Sequence, residues 1–221
     1  MLKATVKASA VTHLTDARYF AAWEVDWLGF DLSPGSGISV HELNAFREWI
    51  TGPGIVGELD AGLPARIEAG SLSPQTLESL QLDAVQVDSV FGPDQATSIL
   101  GPLGIPIFVE LPVEGYSSLD DHIATLQSYE SIATHFVLNF TKGGITWQDL
   151  AEGHPFSLED LKSISESRSV YLEIEGRLPT AIKADYPELA GFSVRGGSEE
   201  KVGFKDFDEL DTFFEDLEVA G

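Results

Sequence analysis

The polar side chains that could do chemistry recur at one kind of place. Ser9, Asp31, Asp60 and Asp88 each fall at or just after the end of a short β-rich run, and Glu110, Asn139, Glu175 and Arg195 do the same further along. Such groups support three chemistries. Two carboxyls can divide general acid and general base work when their pKa values lie near the working pH. Several carboxylates together can hold a divalent cation or a cationic ligand. Arg195 precedes Gly196-Gly197, where glycines let backbone N–H groups approach a phosphate or another anion. Lys7 stands two residues before Ser9, and is read equally as a buried ion-pair partner and as a ligand contact. Arg177 follows Gly176 in a second glycine turn and is assigned to an ion pair with a nearby acid such as Glu175 or Glu199. No D-x-D or E-x-x-H spacing occurs among the inward carboxylates, and the five histidines form no close pair, so no metal is expected. Gly35-Ser36-Gly37 is too short for a dinucleotide fingerprint, so no cofactor is expected either.

The elements that must position these residues alternate. Strand-like runs cover 4–9, 27–32, 54–59, 83–88, 105–111, 135–140, 170–175 and 191–194. Helical patterns cover 14–25, 40–50, 74–80, 93–100, 119–129, 158–167, 179–184 and 207–218. Alternating strands and helices predict a parallel sheet. Eight repeats in 221 residues predict an α/β fold, a single (β/α)8 TIM barrel, parallel and eight-stranded, with residues 1–221 as one domain. An open doubly wound sheet is the second choice. Within the first run Ala4, Val6 and Ala8 share one face, and Thr5, Lys7 and Ser9 the other. The outer face of a barrel strand packs under helices, so the polar set must point inward. The same alternation turns Gln86 and Asp88, Val137 and Asn139, Glu173 and Glu175, and Ser193 and Arg195 inward. Inward residues at the carboxyl ends of barrel strands line the active-site mouth. Trp23, Trp27 and Trp49 are assigned to the core, and Trp147 to a loop able to cover the mouth.

Composition bounds the partners. Asp and Glu number 36 against 13 Lys and Arg, a net formal charge of −23, and there is no cysteine. Disulfides, thiol nucleophiles and iron–sulfur clusters are excluded. The charge repels phosphate backbones and anionic lipid, so neither nucleic acid nor a membrane is an expected partner. The acids are spread along the chain, which fits a surface adapted to high ionic strength better than a face for one basic partner. No secretory apolar stretch opens the chain and no apolar run approaches a membrane span, so a cytoplasmic location is expected. A small-molecule ligand is the expected partner, and the oligomeric state is left open.

The motifs in order resemble phosphoribosylanthranilate isomerase, a (β/α)8 enzyme of tryptophan biosynthesis. Val6-Lys7-Ala8-Ser9-Ala10-Val11-Thr12 with Asp16-Ala17 is similar to the family's opening V-K-I-C-G-I-T and its D-A pair. Trp27-Leu28-Gly29-Phe30, Leu82-Asp83-Ala84-Val85-Gln86-Val87, Gly143-Gly144 and Gly203-Phe204-Lys205-Asp206 follow in the family's order. The resemblance implies an Amadori aldose–ketose isomerisation, with a base taking a proton from carbon and an acid giving one to the ring oxygen. The positions matching that base and acid are Ser9 and Asn139, which can do neither unaided. The family's substrate-binding arginine falls near Gly37, and its histidine on Asp88. Its two phosphate turns fall on Glu175-Gly176-Arg177 and Arg195-Gly196-Gly197. A mouth rich in Asp and Glu is also expected to repel a substrate bearing a phosphate and a carboxylate. The resulting expectation is an isomerase-like barrel with lost or altered activity. It would bind a small ligand such as a sugar phosphate, through Lys7, Gly176, Arg195, Gly196 and Gly197. One alternative is a working isomerase with relocated catalysts, Asp88 serving as base. Another is a non-catalytic acidic interaction protein.

Overall fold

The computed structural model describes residues 1–33, 38–60, 62–69, 74–196, 199–201, 204–205 and 207–219. Eight parallel strands close in sequence order, with β1 hydrogen-bonded to both β2 and β8. They are β1 (Thr5–Val11), β2 (Trp27–Asp31), β3 (Gly54–Leu59), β4 (Ala84–Asp88), β5 (Ile107–Pro112), β6 (His135–Asn139), β7 (Val170–Glu173) and β8 (Gly191–Arg195). A short antiparallel pair, β9 (Glu199–Lys201) and β10 (Phe204–Lys205), follows β8. The helices between strands are α1 (Leu14–Ala22), α2 (Val40–Trp49), α3 (Leu63–Glu68), α4 (Pro74–Ser79), α5 (Pro93–Leu100) and α6 (Leu119–Tyr129). After β6 come α7 (Trp147–Ala151), α8 (Leu158–Ser167), α9 (Pro179–Asp185) and α10 (Asp208–Leu217). None of the helices among the described residues is long and apolar enough to cross a membrane.

Much of the acidity has local work to do. Ser39–Glu42, Ser118–Asp121, Thr146–Asp149 and Ser157–Asp160 each form a reciprocal capping box that starts a helix, satisfying backbone donors a helix leaves free. Asp26 accepts the Val6 N–H and Asp83 accepts the Ile55 N–H, both between the amino ends of neighbouring strands. Helix α1 lacks such a device: His13 occupies its N-cap and its side chain makes no capping bond.

The pleat sorts side chains into two cores. Outward residues such as Val6, Ala8, Leu28 and Phe30 are fully buried beneath the helices, against residues such as Phe20, Leu43 and Phe214. Inside the barrel, Val56, Ala84, Phe108, Val137 and Tyr171 form a separate apolar plug toward the amino ends, closed by Trp27. One step further along each strand the interior becomes polar, with Lys7, Gln86, Glu110, Asn139, Glu173 and Ser193 all buried. The plug fills the barrel floor, and the polar interior lies on its carboxyl side.

Two expected positions differ. Strand β7 ends at Glu173, and Glu175 is exposed rather than inward. Its carbonyl accepts the Trp147 N–H at 2.9 Å, and this bridge draws the chain out of the barrel before the next inward position. Trp49, at the end of α2, is 69% exposed rather than in the core, whereas Trp147 is buried beneath the Arg177 guanidinium, 4.8 Å from its ring.

Candidate functional site at the carboxyl end of the barrel

The first half of the site is built around a lysine. Lys7 is fully buried. Its ammonium donates to Glu58 Oε1 at 2.6 Å and to Ser9 Oγ at 2.7 Å. Glu58 uses its other oxygen to accept the Ala10 N–H at 2.8 Å. Ala10 sits in the left-handed region, φ 55°, where β1 bulges between Ala8 and Val11. Ser9 Oγ lies 3.0 Å from Ser193 Oγ, and Ser193 donates to Glu173 Oε2 at 2.7 Å. These bonds give the chain one direction: Lys7 donates to Ser9, Ser9 to Ser193, and Ser193 to Glu173. Ser9 is held between a cation and a hydroxyl, with no base against it to activate its own hydroxyl.

Space for the Lys7–Glu58 pair comes from Gly29. A Cβ built there falls on the Glu58 carboxylate and 2.8 Å from Lys7 Nζ. We expect Gly29→Ala to force this pair apart at a cost of about 1–3 kcal/mol, the usual range for overpacking. Urea unfolding compared with wild type would measure it, and an unchanged midpoint would contradict the assignment.

The second half is built around an amide. Asn139 is fully buried. Its Nδ2 donates to Glu110 Oε1 at 2.6 Å and to Glu173 Oε1 at 2.9 Å, while its Oδ1 accepts the Lys142 N–H at 2.9 Å. Arg195 spans the same two acids, Nε to Glu173 and Nη2 to Glu110, each at 2.8 Å. Lys142 Nζ lies 3.1 Å from Glu110 and 3.3 Å from Asp88. Burial opposes ionisation of Glu110, but Lys142 and Arg195, helped by Asn139, outweigh it and hold the carboxyl below the usual glutamate range. Burial likewise disfavours charged Arg195, and Glu173 and Glu110 overcome it, raising its pKa.

A carboxyl lowered in the folded state binds fewer protons there than in the unfolded chain. Its stabilisation is complete above the unfolded value of about 4.3, and is lost as pH falls through the folded value. Wild-type stability should therefore drop more steeply than that of Glu110→Gln between neutral pH and about pH 3. Parallel urea-denaturation curves across that range would contradict it.

Above this network opens a cavity of about 260 Å³, lined by Asp31, Asp60, Asp88, Gln86, Lys142 and Arg195 among others. Asp88 caps the turn after β4 through the Val90 N–H at 3.0 Å, and its other oxygen faces Lys142. The structure thus brings Lys7, Ser9, Asn139, Asp88 and Arg195 to one end of the barrel. Gly176 lies apart, exposed, with φ +92°, a backbone that favours glycine. Arg177 pairs with Asp185 and stacks over Trp147. Gly196 directly follows β8; Gly197 and Gly37 lie outside the described residues.

The mouth is less bare of positive charge than composition implies, because Lys142 enters it from the turn Thr141–Gly143 after β6. That lysine lies in a loop with no periodic signal to find it. Glu58 was findable, since the alternation Val56, Glu58, Asp60 turns it inward, below Asp60.

No family model and no curated protein sequence matches the chain. Solved structures do. Phosphoribosylanthranilate isomerase from Thermus thermophilus is 22% identical over 96% of this chain and 98% of its own, with a TM-score of 0.67. The corresponding protein from Thermotoga maritima, a monomeric form, is 18% identical over 97% and 98%, with a TM-score of 0.63. 3-Keto-L-gulonate-6-phosphate decarboxylase from Vibrio cholerae is 12% identical over 98% of each chain, with a TM-score of 0.60. Across its whole described length, then, the chain has the (β/α)8 fold of the phosphoribosylanthranilate isomerases.

Proposed function

We propose that this barrel is a diverged relative of phosphoribosylanthranilate isomerase that binds a small ligand at its mouth and has given up the family's acid–base pair. One observation carries the reading: both amide hydrogens of Asn139 are committed to Glu110 and Glu173. An amide so placed has no acidic proton to give. At the matching base position, Ser9 accepts from the Lys7 ammonium and donates onward to the Ser193 hydroxyl, so no base touches it directly. General acid and base groups are each worth about 10²–10⁴ in rate, and both roles are lost together.

The test is turnover of phosphoribosylanthranilate by the purified, folded protein at low and at molar salt. Both are needed because a net charge of −23 repels itself without screening. The expected rate lies at least ~10⁴-fold below that of an ordinary enzyme. Turnover at about 1–10³ per second would overturn the proposal. The second reading, an isomerase with a relocated base, is favoured by one feature: Asp88 lines the cavity with 24% of its side chain exposed. Under it, Asp88→Asn would abolish measurable turnover.

A further inference from the structure

We infer that the mouth takes a small organic ammonium compound; this rests on the reading of the mouth as a ligand site and names the class of ligand. The argument starts from Gln86. Its side chain is 4% exposed and lines the cavity. Nε2 donates to Glu110 Oε2 at 3.3 Å, which fixes the amide's orientation, since the opposite flip would set oxygen against a carboxylate. Oε1 is then left buried with no hydrogen-bond partner. A buried acceptor without a donor is costly, and native proteins rarely leave one unless something else supplies it.

The rest of the wall asks for the same thing. Five carboxylates line the cavity, from Asp31, Glu58, Asp60, Asp88 and Glu110, against two lining cations, Lys142 and Arg195; Lys7 answers Glu58 and Arg66 lies 3.7 Å from Asp60, so the surplus falls on Asp31, Asp88 and Glu110. Each of those cations is already divided between two acids: Lys142 between Asp88 and Glu110, Arg195 between Glu110 and Glu173. An anionic ligand would have to take them from Glu110. An ammonium brings donors and no acceptors, so it complements both the orphan Gln86 oxygen and the charge surplus. Among the described residues no three His, Asp or Glu are grouped to hold a metal ion, so the positive charge belongs on an organic group. At about 260 Å³ the cavity lies just below the usual ~300–1,000 Å³ of ligand sites, which limits the compound to a small one.

The experiment compares three hexoses that differ in charge. Glucosamine, glucose and glucose 6-phosphate are titrated into the full chain by calorimetry, with ethanolamine as a smaller ammonium probe. Amide NMR shifts locate each binding event. We expect one of the two ammonium probes to bind at the mouth at least about tenfold tighter than glucose, a difference of about 1.4 kcal/mol, with glucose 6-phosphate weaker than glucose. Gln86→Leu and, separately, Asp88→Asn should each weaken ammonium binding several-fold; Asp88→Asn keeps the test valid if the buried change impairs folding. Tighter binding of glucose 6-phosphate at the mouth, or equal binding of the ammonium probes and glucose, overturns the ammonium class and leaves the ligand site standing. Ammonium binding that neither variant changes is diffuse attraction to an acidic surface, and overturns the class too. No binding at the mouth by any probe overturns the ligand site itself.

Discussion

Lys7→Met should destabilise the protein by about 3–5 kcal/mol, the cost of leaving one partner of a buried ion pair behind. Methionine keeps most of the lysine stem, so the loss is electrostatic rather than a cavity. Lys7 is fully buried and the Glu58 side chain is 12% exposed. Without the ammonium, Glu58 retains the Ala10 N–H as a donor. Ser9 loses its donor as well, which leaves the directed chain through Ser193 to Glu173 without its head. A stability loss of this size is a large fraction of the ~5–15 kcal/mol that holds a typical domain together, so the variant is expected to need molar salt to fold in quantity.

The double variant Lys7→Met/Glu58→Gln separates the pair from its surroundings. Replacing both members removes the stranded charge and keeps an acceptor for the Ala10 N–H, so it should be more stable than Lys7→Met alone. The coupling energy from the four-variant cycle, read by urea unfolding, should exceed about 1 kcal/mol. A coupling near zero would mean that Glu58 relaxes to solvent when Lys7 is lost. The position of the pair explains why such a charge is kept in a barrel interior. It stands directly beneath the mouth, above the apolar plug, and it orients Ser9 and the bulged backbone at Ala10.

How this interior could be read from the sequence depends on the kind of signal. Period-two alternation is local, and it places Lys7, Ser9, Gln86, Asn139 and Arg195 inside correctly because a pleated strand has no other way to direct them. Pairing is not local. Arg195 reads as an anion holder until Glu110, 85 residues away, and Glu173 are seen to occupy its guanidinium. The acid-lined mouth expected from strand ends is present in Asp31, Asp60, Asp88 and Glu110, but its charge is offset by Lys142, which arrives from an aperiodic turn. Helix α7 carries a sequence signal of its own: Thr146 and Asp149 are spaced as a capping box. Trp49 and Glu175 fail for different reasons. Trp49 lies off the buried side of α2 marked by Leu43 and Ile50, and Glu175 follows the end of β7 at Glu173.

Asn139→Asp, the substitution that restores the acid of the isomerase family, should here destabilise the barrel, and more so as pH rises. The new carboxyl would stand where the amide now stands, 2.6 Å from one Glu110 oxygen and 2.9 Å from one Glu173 oxygen. Three carboxylates cannot all be ionised at such distances, so the new group must bind a proton in the folded state at a pH where an unfolded aspartate, of pKa ~3.9, has lost it. The folded state then holds more protons than the unfolded one, and stability falls with rising pH from the unfolded value up to the raised folded value. Each unit of that elevation is worth about 1.4 kcal/mol, so an elevation of two to three units gives a penalty of about 3–4 kcal/mol at pH 8 that is mostly absent at pH 4. A protonated carboxyl also donates one hydrogen bond where the amide donates two, which leaves a smaller penalty at every pH. Urea unfolding of wild type and variant at pH 4, 6 and 8 reads the difference directly. A constant difference across that range would mean that the carboxylate escapes the two glutamates, and that Asn139 is not required by the charges around it. A difference that widens with pH ties the loss of the acid to Glu110 and Glu173: with both glutamates ionised in place, the buried position between them favours a permanent donor over an aspartate.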